Sequence, residues 1–158
     1  MNLAIEEASG LDPVAGDDAR LLILGTFPGP LALKCGQYYP DRRNKFWEIM
    51  GRLFGASRDL DYEERLCRVI AKQIAIWDTI AACQRHGGSD SEIQWPSVKV
   101  NDFQVFLSKH IHIAVVCFNG KKAKQIWDDK VLFRTCPQTF AAGCAARSSP
   151  IRLGLTPI

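Results

Sequence analysis

The prediction of the fold starts from residues 20–47, which read RLLILGTFPGPLALKCGQYYPDRRNKFW. Leu21 to Leu24 form a short apolar run, which is typical of a strand buried on both faces. Glycine and proline interrupt regular structure directly afterwards, and Asn44 opens a segment whose apolar residues recur at helical spacing. A buried strand that ends in a Gly/Pro loop and leads into a helix is how α/β proteins commonly present a site.

The rest of the chain repeats this alternation of apolar strands and amphipathic helices. Further strands are predicted at residues 73–78 and 111–118, and further helices at 62–72, 102–109 and 121–130. Such alternation indicates a parallel sheet with helices on both faces. We therefore expect an α/β fold, a three-layer α/β/α sandwich with a mainly parallel four-stranded sheet. The pattern leaves two places open for the fourth strand, residues 132–135 and residues 151–155.

Charge is distributed unevenly along the chain. The protein has 20 Lys and Arg and 17 Asp and Glu, and five of the acids lie in residues 1–19, which contain no Lys or Arg. The remaining residues therefore carry a clear basic excess, which favours binding to a polyanion such as nucleic acid. We predict an acidic mobile N-terminal arm over residues 1–19 and a single domain over residues 20–158.

Composition narrows the class of protein further. Hydrophobic residues make up 47% of the chain and charged residues 23%, which is typical of a globular protein in water. No transmembrane span or signal peptide is indicated, so we expect no membrane contact and a cytoplasmic protein, nucleoid-associated if bacterial. The six cysteines include no Cys-x-x-Cys pair, which argues against a metal site and favours reduced thiols.

Three motifs together resemble one family. Residues 25–29, Gly-Thr-Phe-Pro-Gly, resemble the first motif of the uracil-DNA glycosylase superfamily, Gly-x-x-Pro followed by Gly or Tyr. Residues 37–47, QYYPDRRNKFW, resemble the hypoxanthine (deoxyinosine) branch of that superfamily, and residues 118–123, FNGKKA, are similar to a strand end of the same branch. The resemblance covers residues 20–133. Only residues 148–150, Ser-Ser-Pro, match the family's last motif.

The resemblance implies a DNA glycosylase of base excision repair, which hydrolyses the N-glycosidic bond of a deaminated base flipped out of the helix. The implied base is hypoxanthine, with weaker activity on mismatched uracil or xanthine. The implied partner is double-stranded or single-stranded DNA that contains a deaminated base, bound by a monomer without metal or cofactor. No lysine occupies a Schiff-base position, so a monofunctional enzyme is expected.

The same resemblance assigns roles to individual residues. Asn44 is implied to be catalytic, by binding the leaving base or water, although asparagine is also a good helix N-cap. Tyr39 is implied to stack on the base, with a core tyrosine as the alternative. The other predicted base-binding residues are Phe27, Gln37 and Asn119, and the predicted backbone loop is Gly25, Thr26, Pro28 and Gly29. Predicted DNA contacts are Arg42, Arg43, Lys121, Lys122, Ser149 and Pro150.

One departure from the family pattern favours a different function. Phe27 stands where the stronger uracil enzymes carry Asp or Asn, and no carboxylate lies between Gly25 and Pro40. General-base help from this loop is therefore absent, which predicts slow chemistry and little activity on uracil. The alternative is a catalytically weak or inactive glycosylase-like protein that binds nucleic acid. A Rossmann nucleotide-binding protein is less well supported, because the chain lacks Gly-x-Gly-x-x-Gly after its first strand.

Overall fold

The computed structural model describes residues 7–87 and 89–132. In this part, the chain forms six strands and five α-helices, in the order β1 (Glu7–Ser9), β2 (Leu21–Gly25), α1 (Pro30–Cys35), α2 (Phe46–Phe54), α3 (Tyr62–Ala71), β3 (Ile74–Asp78), β4 (Ile80–Gln84), β5 (Lys99–Val100), α4 (Phe103–Lys109), β6 (Val115–Phe118) and α5 (Lys121–Ile126). A π-helical turn, Trp127–Leu132, extends α5. No helix within these described ranges is long and apolar enough to cross a membrane.

A parallel three-stranded sheet in the order β3-β2-β6 organises the core. The central strand is β2, in which Leu22 and Leu24 are fully buried, as the apolar run predicts. Trp47 of α2 and Phe103 of α4 belong to the same buried cluster as these leucines. Burial of each such side chain contributes about 1.5–3 kcal/mol, so the cluster fixes the position of β2 and of the loop that follows it.

The expected α/β architecture is confirmed, but the sheet differs from the predicted four-stranded parallel one. The described residues form a second three-stranded sheet, in the order β1-β4-β5, whose pairs are antiparallel. Thr79 alone separates β3 from β4. A parallel neighbour needs a crossover of a dozen or more residues, so β4 cannot join the first sheet in parallel to β3.

The described residues contain no strand at either of the two places predicted for the fourth strand. Leu132 ends the π-helical turn, and the other residues of the two candidate ranges lie outside the described residues. The loop after β2 also contains a helix that periodicity did not predict. This helix, α1, begins at Pro30, whose fixed φ suits a first helical position, and is followed by Gly36 at φ 65°.

Residues 7–19 are bound to the rest of the chain, unlike the mobile arm predicted over residues 1–19. β1 pairs with β4, and Val14 forms an antiparallel bridge with Ile76 of β3. The side chains of Leu11, Val14 and Ala15 pack against the core, which explains why acidic charge alone did not predict this segment. Residues 1–6 lie outside the described residues, and the single domain over residues 20–158 remains a prediction.

Candidate active site

A cavity of about 660 Å³ lies where β2, β3 and β6 end. It is lined by Gly25, Thr26, Phe27, Pro28, Gly29, Pro30, Leu31, Ala32, Tyr38, Tyr39, Pro40, Asp41, Arg43, Asn44, Asp78, Ser89, Asp90 and Asn119. Its volume is in the range of small-molecule binding sites. Asn44 and Asn119 both line this cavity, so the loop after β2 and the loop after β6 meet at one edge of the sheet.

The strand ends around the cavity are held together by backbone hydrogen bonds. Thr79 is fully buried and donates two bonds to the carbonyl oxygen of Gly25, from its N–H at 2.9 Å and from its hydroxyl at 2.8 Å. The N–H of Asn119 donates to the carbonyl oxygen of Leu24 at 2.8 Å. The ends of all three strands are thus fixed relative to one another, which preorganises the side chains that follow them.

Asp78, to which the sequence motifs assign no role, contributes a buried carboxyl group to the cavity. The residue is 3% exposed, and its Oδ2 has no hydrogen-bond partner in the described part of the chain. Burial first, and the negative charge of Asp90 second, raise the pKa of Asp78 to about 7. The signal in the sequence was an Asp that ends an otherwise apolar strand, because a buried charge needs compensation or a function.

Tyr39 approaches the same point from the loop before α2. Its φ of 53° lies in the left-handed region, where bulky residues are rare and where strain often accompanies function. Its ring packs on that of Phe46, with centroids 4.1 Å apart. Its hydroxyl is buried near the side chain of Asn119 without a well-aligned hydrogen bond within the described ranges, and burial raises the pKa of this group. Tyr39 thus offers the cavity both an aromatic face and a polar group.

Gly25 provides the space that these two side chains occupy. In the register of the sheet it pairs with Asp78. A Cβ added to Gly25 would lie 2.6 Å from the hydroxyl oxygen of Tyr39, and closer still to Oδ1 of Asp78. Asp78 and Tyr39 therefore flank Gly25 closely, and any larger residue there would displace at least one of them.

Asn44 lines the cavity just before α2. Its Oδ1 accepts a hydrogen bond from the N–H of Phe46 at 2.9 Å, so its oxygen caps the helix from the position before the N-cap residue, Lys45. Its Nδ2 makes no hydrogen bond to the residues that the structure describes. Capping and catalysis are therefore compatible, since the oxygen serves the helix and the amide nitrogen is free to donate.

Arg58, which the sequence did not single out, holds the loop that carries Asn44. Its guanidinium donates to the carbonyl oxygens of Asn44 at 2.7 Å, Asp41 at 3.3 Å and Pro40 at 3.5 Å. These bonds go to main-chain atoms of three loop residues, so they fix the backbone from which Asn44 projects. Arg58 acts on the cavity as a positioning residue.

The other predicted base-binding residues occupy different positions. Phe27 lines the cavity and is buried, with the Arg85 guanidinium 5.3 Å from its ring centroid. Asn119 lines the cavity and is exposed. Gln37 is not among the lining residues, so the structure does not bring it to the cavity with the others. Its contact with a base remains a prediction.

Two arginines predicted to contact DNA are exposed near Asn44. Arg43 lines the cavity and forms a bidentate ion pair with Asp41, with a shortest N–O distance of 2.7 Å. Its hydrogen bonds lower the pKa of Asp41 to about 2, so this pair stays ionised over the whole neutral range. Arg42 is exposed and borders a separate depression.

The two predicted lysines lie at the start of α5, directly after the loop of Asn119. Lys121 is exposed, whereas the Lys122 ammonium lies 4.0 Å from the centroid of the Trp95 ring. Both lysines thus lie beside a strand end that borders the cavity, and their contacts with DNA remain a prediction. Ser149 and Pro150 lie outside the described residues.

Comparison with known proteins identifies the family. A family model described as the uracil DNA glycosylase superfamily matches residues 13–148. A hypoxanthine DNA glycosylase of Methanosarcina barkeri is 31% identical over 115 residues, and one of Methanosarcina acetivorans is 32% identical over 115 residues. Each alignment covers 72% of this chain and 72% of the relative.

A solution NMR structure of a candidate uracil DNA glycosylase from Methanosarcina acetivorans superposes with a TM-score of 0.68 at 30% identity, covering 82% of this chain and 78% of that one. The resemblance read from the sequence motifs is thereby confirmed, and this chain belongs to the uracil DNA glycosylase superfamily, with hypoxanthine DNA glycosylases among its relatives.

Proposed function

We propose that this chain is a DNA-deoxyinosine glycosylase, which removes hypoxanthine from DNA in base excision repair. The observation that carries the proposal is the cavity in which Asn44, Tyr39 and Asp78 meet. Relatives named hypoxanthine DNA glycosylases support this choice of base. An enzyme of this kind must take the nucleotide out of the stack before it can reach the glycosidic bond, and a preformed cavity at strand ends suits the extruded base.

The groups in the cavity match the needs of base removal. As the glycosidic bond breaks, negative charge develops on the base and positive charge on the sugar. The Nδ2 of Asn44, unpaired among the described residues, can donate a hydrogen bond to the base or hold the attacking water, and such positioned donors stabilise developing charge strongly. The ring of Tyr39 can stack on the extruded base, a contact that tolerates any nucleobase.

The cavity also supports a monofunctional mechanism. Strand-cleaving glycosylases form a Schiff base through an amine, which has to lie close to C1′ of the sugar. No lysine is among the described residues that line the cavity. We therefore propose hydrolysis without lyase activity, by a cytoplasmic monomer. Weaker activity on mismatched uracil or xanthine is part of the proposal, since Phe27 replaces the acid or amide of the stronger uracil enzymes.

The experiment that tests this function is base release from duplexes that contain one deoxyinosine, deoxyuridine or deoxyxanthosine. With enzyme in excess, we expect release of free hypoxanthine and an abasic site that breaks only after alkali treatment. A folded protein that binds these duplexes and releases no base would support the alternative, a nucleic-acid-binding protein without turnover, which Phe27 favours. Failure both to bind and to release a base would overturn both functions.

Duplex binding is expected to weaken steeply as the salt concentration rises, because basic side chains that neutralise phosphates release counterions. Lys121→Gln should lower the slope of log affinity against log salt by about 1, equally for duplexes with and without deoxyinosine. Fluorescence anisotropy between about 50 and about 200 mM salt measures this slope. Lys72→Gln is the matched control, since the exposed Lys72 precedes β3, at the end of the sheet away from the cavity. Binding that is independent of salt would contradict these phosphate contacts.

Tyr39→Ala is expected to weaken capture of the flipped base by about 1–3 kcal/mol, the scale of one base–aromatic stack. The measurement is the difference in affinity between a deoxyinosine duplex and the same duplex without the lesion, in an Asn44→Ala background that prevents turnover. Tyr39→Phe keeps the ring and is expected to retain most of this difference. Equal losses on both duplexes would instead indicate that Tyr39 serves the fold, the alternative left open by the sequence.

A further inference from the structure

No cationic side chain among the described residues stabilises the charged form of Asp78. The Asp78 side chain makes no hydrogen bond among residues 7–87 and 89–132. The ionisable groups that interact electrostatically with it are the hydroxyls of Tyr38 and Tyr39 and the carboxylate of Asp90. Arg43 lines the same cavity but is engaged in its ion pair with another carboxylate. An environment of this kind disfavours a carboxylate and favours a neutral carboxylic acid.

The main chain holds this acid in place. The carbonyl oxygen of Asp78 accepts a hydrogen bond from Nδ2 of Asn101 at 2.7 Å. Asp78 also ends a strand whose five residues are all buried, and it pairs with Gly25 in the central strand. The carboxyl group therefore projects from a rigid element, as expected of a group that must meet a ligand in one geometry.

We propose that Asp78, acting within the function proposed above, is the acid that gives its proton to the departing hypoxanthine. This base carries two acceptors, N7 and O6, on the edge that guanine also presents in the major groove. A neutral carboxylic acid can donate to N7, whereas a carboxylate can only accept. Asp78 thus provides the acid group that residues 25–29, the first-motif loop, lack.

The step balances without a further reactant. The bond between C1′ and N9 breaks, and its electron pair passes to the purine ring. The proton of Asp78 moves to N7, so that neutral hypoxanthine leaves. The oxygen of one water molecule bonds to C1′ and loses a proton to solvent, and Asp78 regains a proton from solvent before the next turnover. The products are hypoxanthine and an abasic deoxyribose.

The direction of the pKa shift agrees with this role. Burial, reinforced by the charge of Asp90, raises the pKa of Asp78 from 3.8 to about 7, near which an acid is effective at neutral pH. When folding raises the pKa of a carboxyl group, the group stabilises the folded state at pH values below its unfolded-state pKa. This stabilisation is lost as the pH rises from about 4 towards 7. Asp78 therefore lowers the stability of the protein at neutral pH, which a purely structural residue has no reason to do.

The first test is the pH dependence of single-turnover hypoxanthine release. The rate constant should be highest below neutral pH and fall as pH rises through about 7, because the acid form is lost. Asp78→Asn should lower the rate by about 10²-fold and remove this fall. Asp90→Asn should move the fall to lower pH, because it removes a negative charge that disfavours ionisation. Asp17→Asn, at an exposed position that does not line the cavity, is the matched control and should leave the profile unchanged.

The second test changes the substrate instead of the protein. In 7-deaza-2′-deoxyinosine, a C–H group replaces N7, so the parental protein should release this base much more slowly. Asp78→Asn should cause little further loss on this substrate, since both changes remove the same proton transfer. The variant is also expected to melt at a higher temperature than the parent at pH 8, which checks that it folds.

The outcomes separate the inference from the proposed function. The role of Asp78 would be overturned if Asp78→Asn kept the parental pH profile, or if it slowed release from deoxyinosine and from 7-deaza-2′-deoxyinosine equally. Release of hypoxanthine by the parental protein would still uphold the proposed function. If Asp78→Asn does not fold, Asp90→Asn decides, and an unmoved profile overturns the inference. A parental protein that releases no hypoxanthine would overturn the proposed function and the inference with it.

Discussion

Asn44→Ala is expected to slow single-turnover release of hypoxanthine by about 10²–10³-fold, the range for loss of one positioned donor. The affinity for a deoxyinosine duplex should barely change. The physical reason is that the two polar atoms of the side chain have different partners. Oδ1 accepts a hydrogen bond from the N–H of Phe46, whereas Nδ2 has no partner among the described residues. A donor that meets the base or water most strongly in the transition state acts on the rate and not on binding.

The capping bond complicates this test, because loss of a cap costs about 1 kcal/mol of stability. Urea unfolding of the same preparations therefore accompanies the kinetics. Asn44→Asp separates the two roles, since it keeps an oxygen for the N–H of Phe46, loses the amide donor and adds a negative charge. We expect this variant to fold normally and to release hypoxanthine at least as slowly as Asn44→Ala. A folded Asn44→Asp protein with the parental rate would show that Asn44 is only a cap.

The part of the site that carries Asn44 could be predicted because its signals are local. The apolar run of β2 is bounded by glycine and proline, and Phe46, Trp47 and Met50 repeat at helical spacing and are all buried in α2. Each of these elements is determined by neighbouring residues. The position of the cavity then follows from the rule that sites lie at the carboxyl ends of parallel strands.

The second sheet could not be predicted in the same way. β5 has two residues and β1 has three, which is too short for any periodicity to show. Their pairing depends on contacts between distant parts of the chain, such as that between Glu7 and Gln84. Long-range pairing of this kind leaves no local pattern, so the single parallel sheet predicted from strand–helix alternation did not include it.

Two site residues escaped prediction for a related reason. Asp78 ends an apolar strand in the sequence, but its role in the cavity is visible only when the fold places its carboxyl group and the Tyr39 hydroxyl beside Gly25. Arg58 binds main-chain carbonyl oxygens, and every residue type offers these, so no motif marks its partners. The sequence therefore indicated several polar residues of the cavity, Asn44, Tyr39 and Asn119, while the roles of the buried acid and of the residue that positions the loop required the fold.

Gly25→Ala is expected to slow hypoxanthine release by about 10²-fold, the effect of displacing a reacting group by about 1 Å. The added methyl group would lie 2.6 Å from the Tyr39 hydroxyl oxygen and closer to Asp78, which is less than real Cβ contacts allow. Neither neighbour moves easily, because Asp78 ends a buried strand and Tyr39 packs on Phe46. We also expect the free energy of unfolding to fall by about 1–3 kcal/mol, the usual cost of overpacking.

Gly29→Ala is the matched control for stability, since a Cβ there meets no atom within 4 Å and its φ of −67° suits any residue. Its free energy of unfolding should stay within about 0.5 kcal/mol of the parental value. Parental stability and rate in Gly25→Ala would contradict the tight arrangement of Asp78 and Tyr39 around this glycine. A lower stability with a parental rate per folded molecule would mean that the contact serves only the fold. Slow release by a folded protein that still binds the duplex would show that the placement of Asp78 and Tyr39 against Gly25 is needed for catalysis.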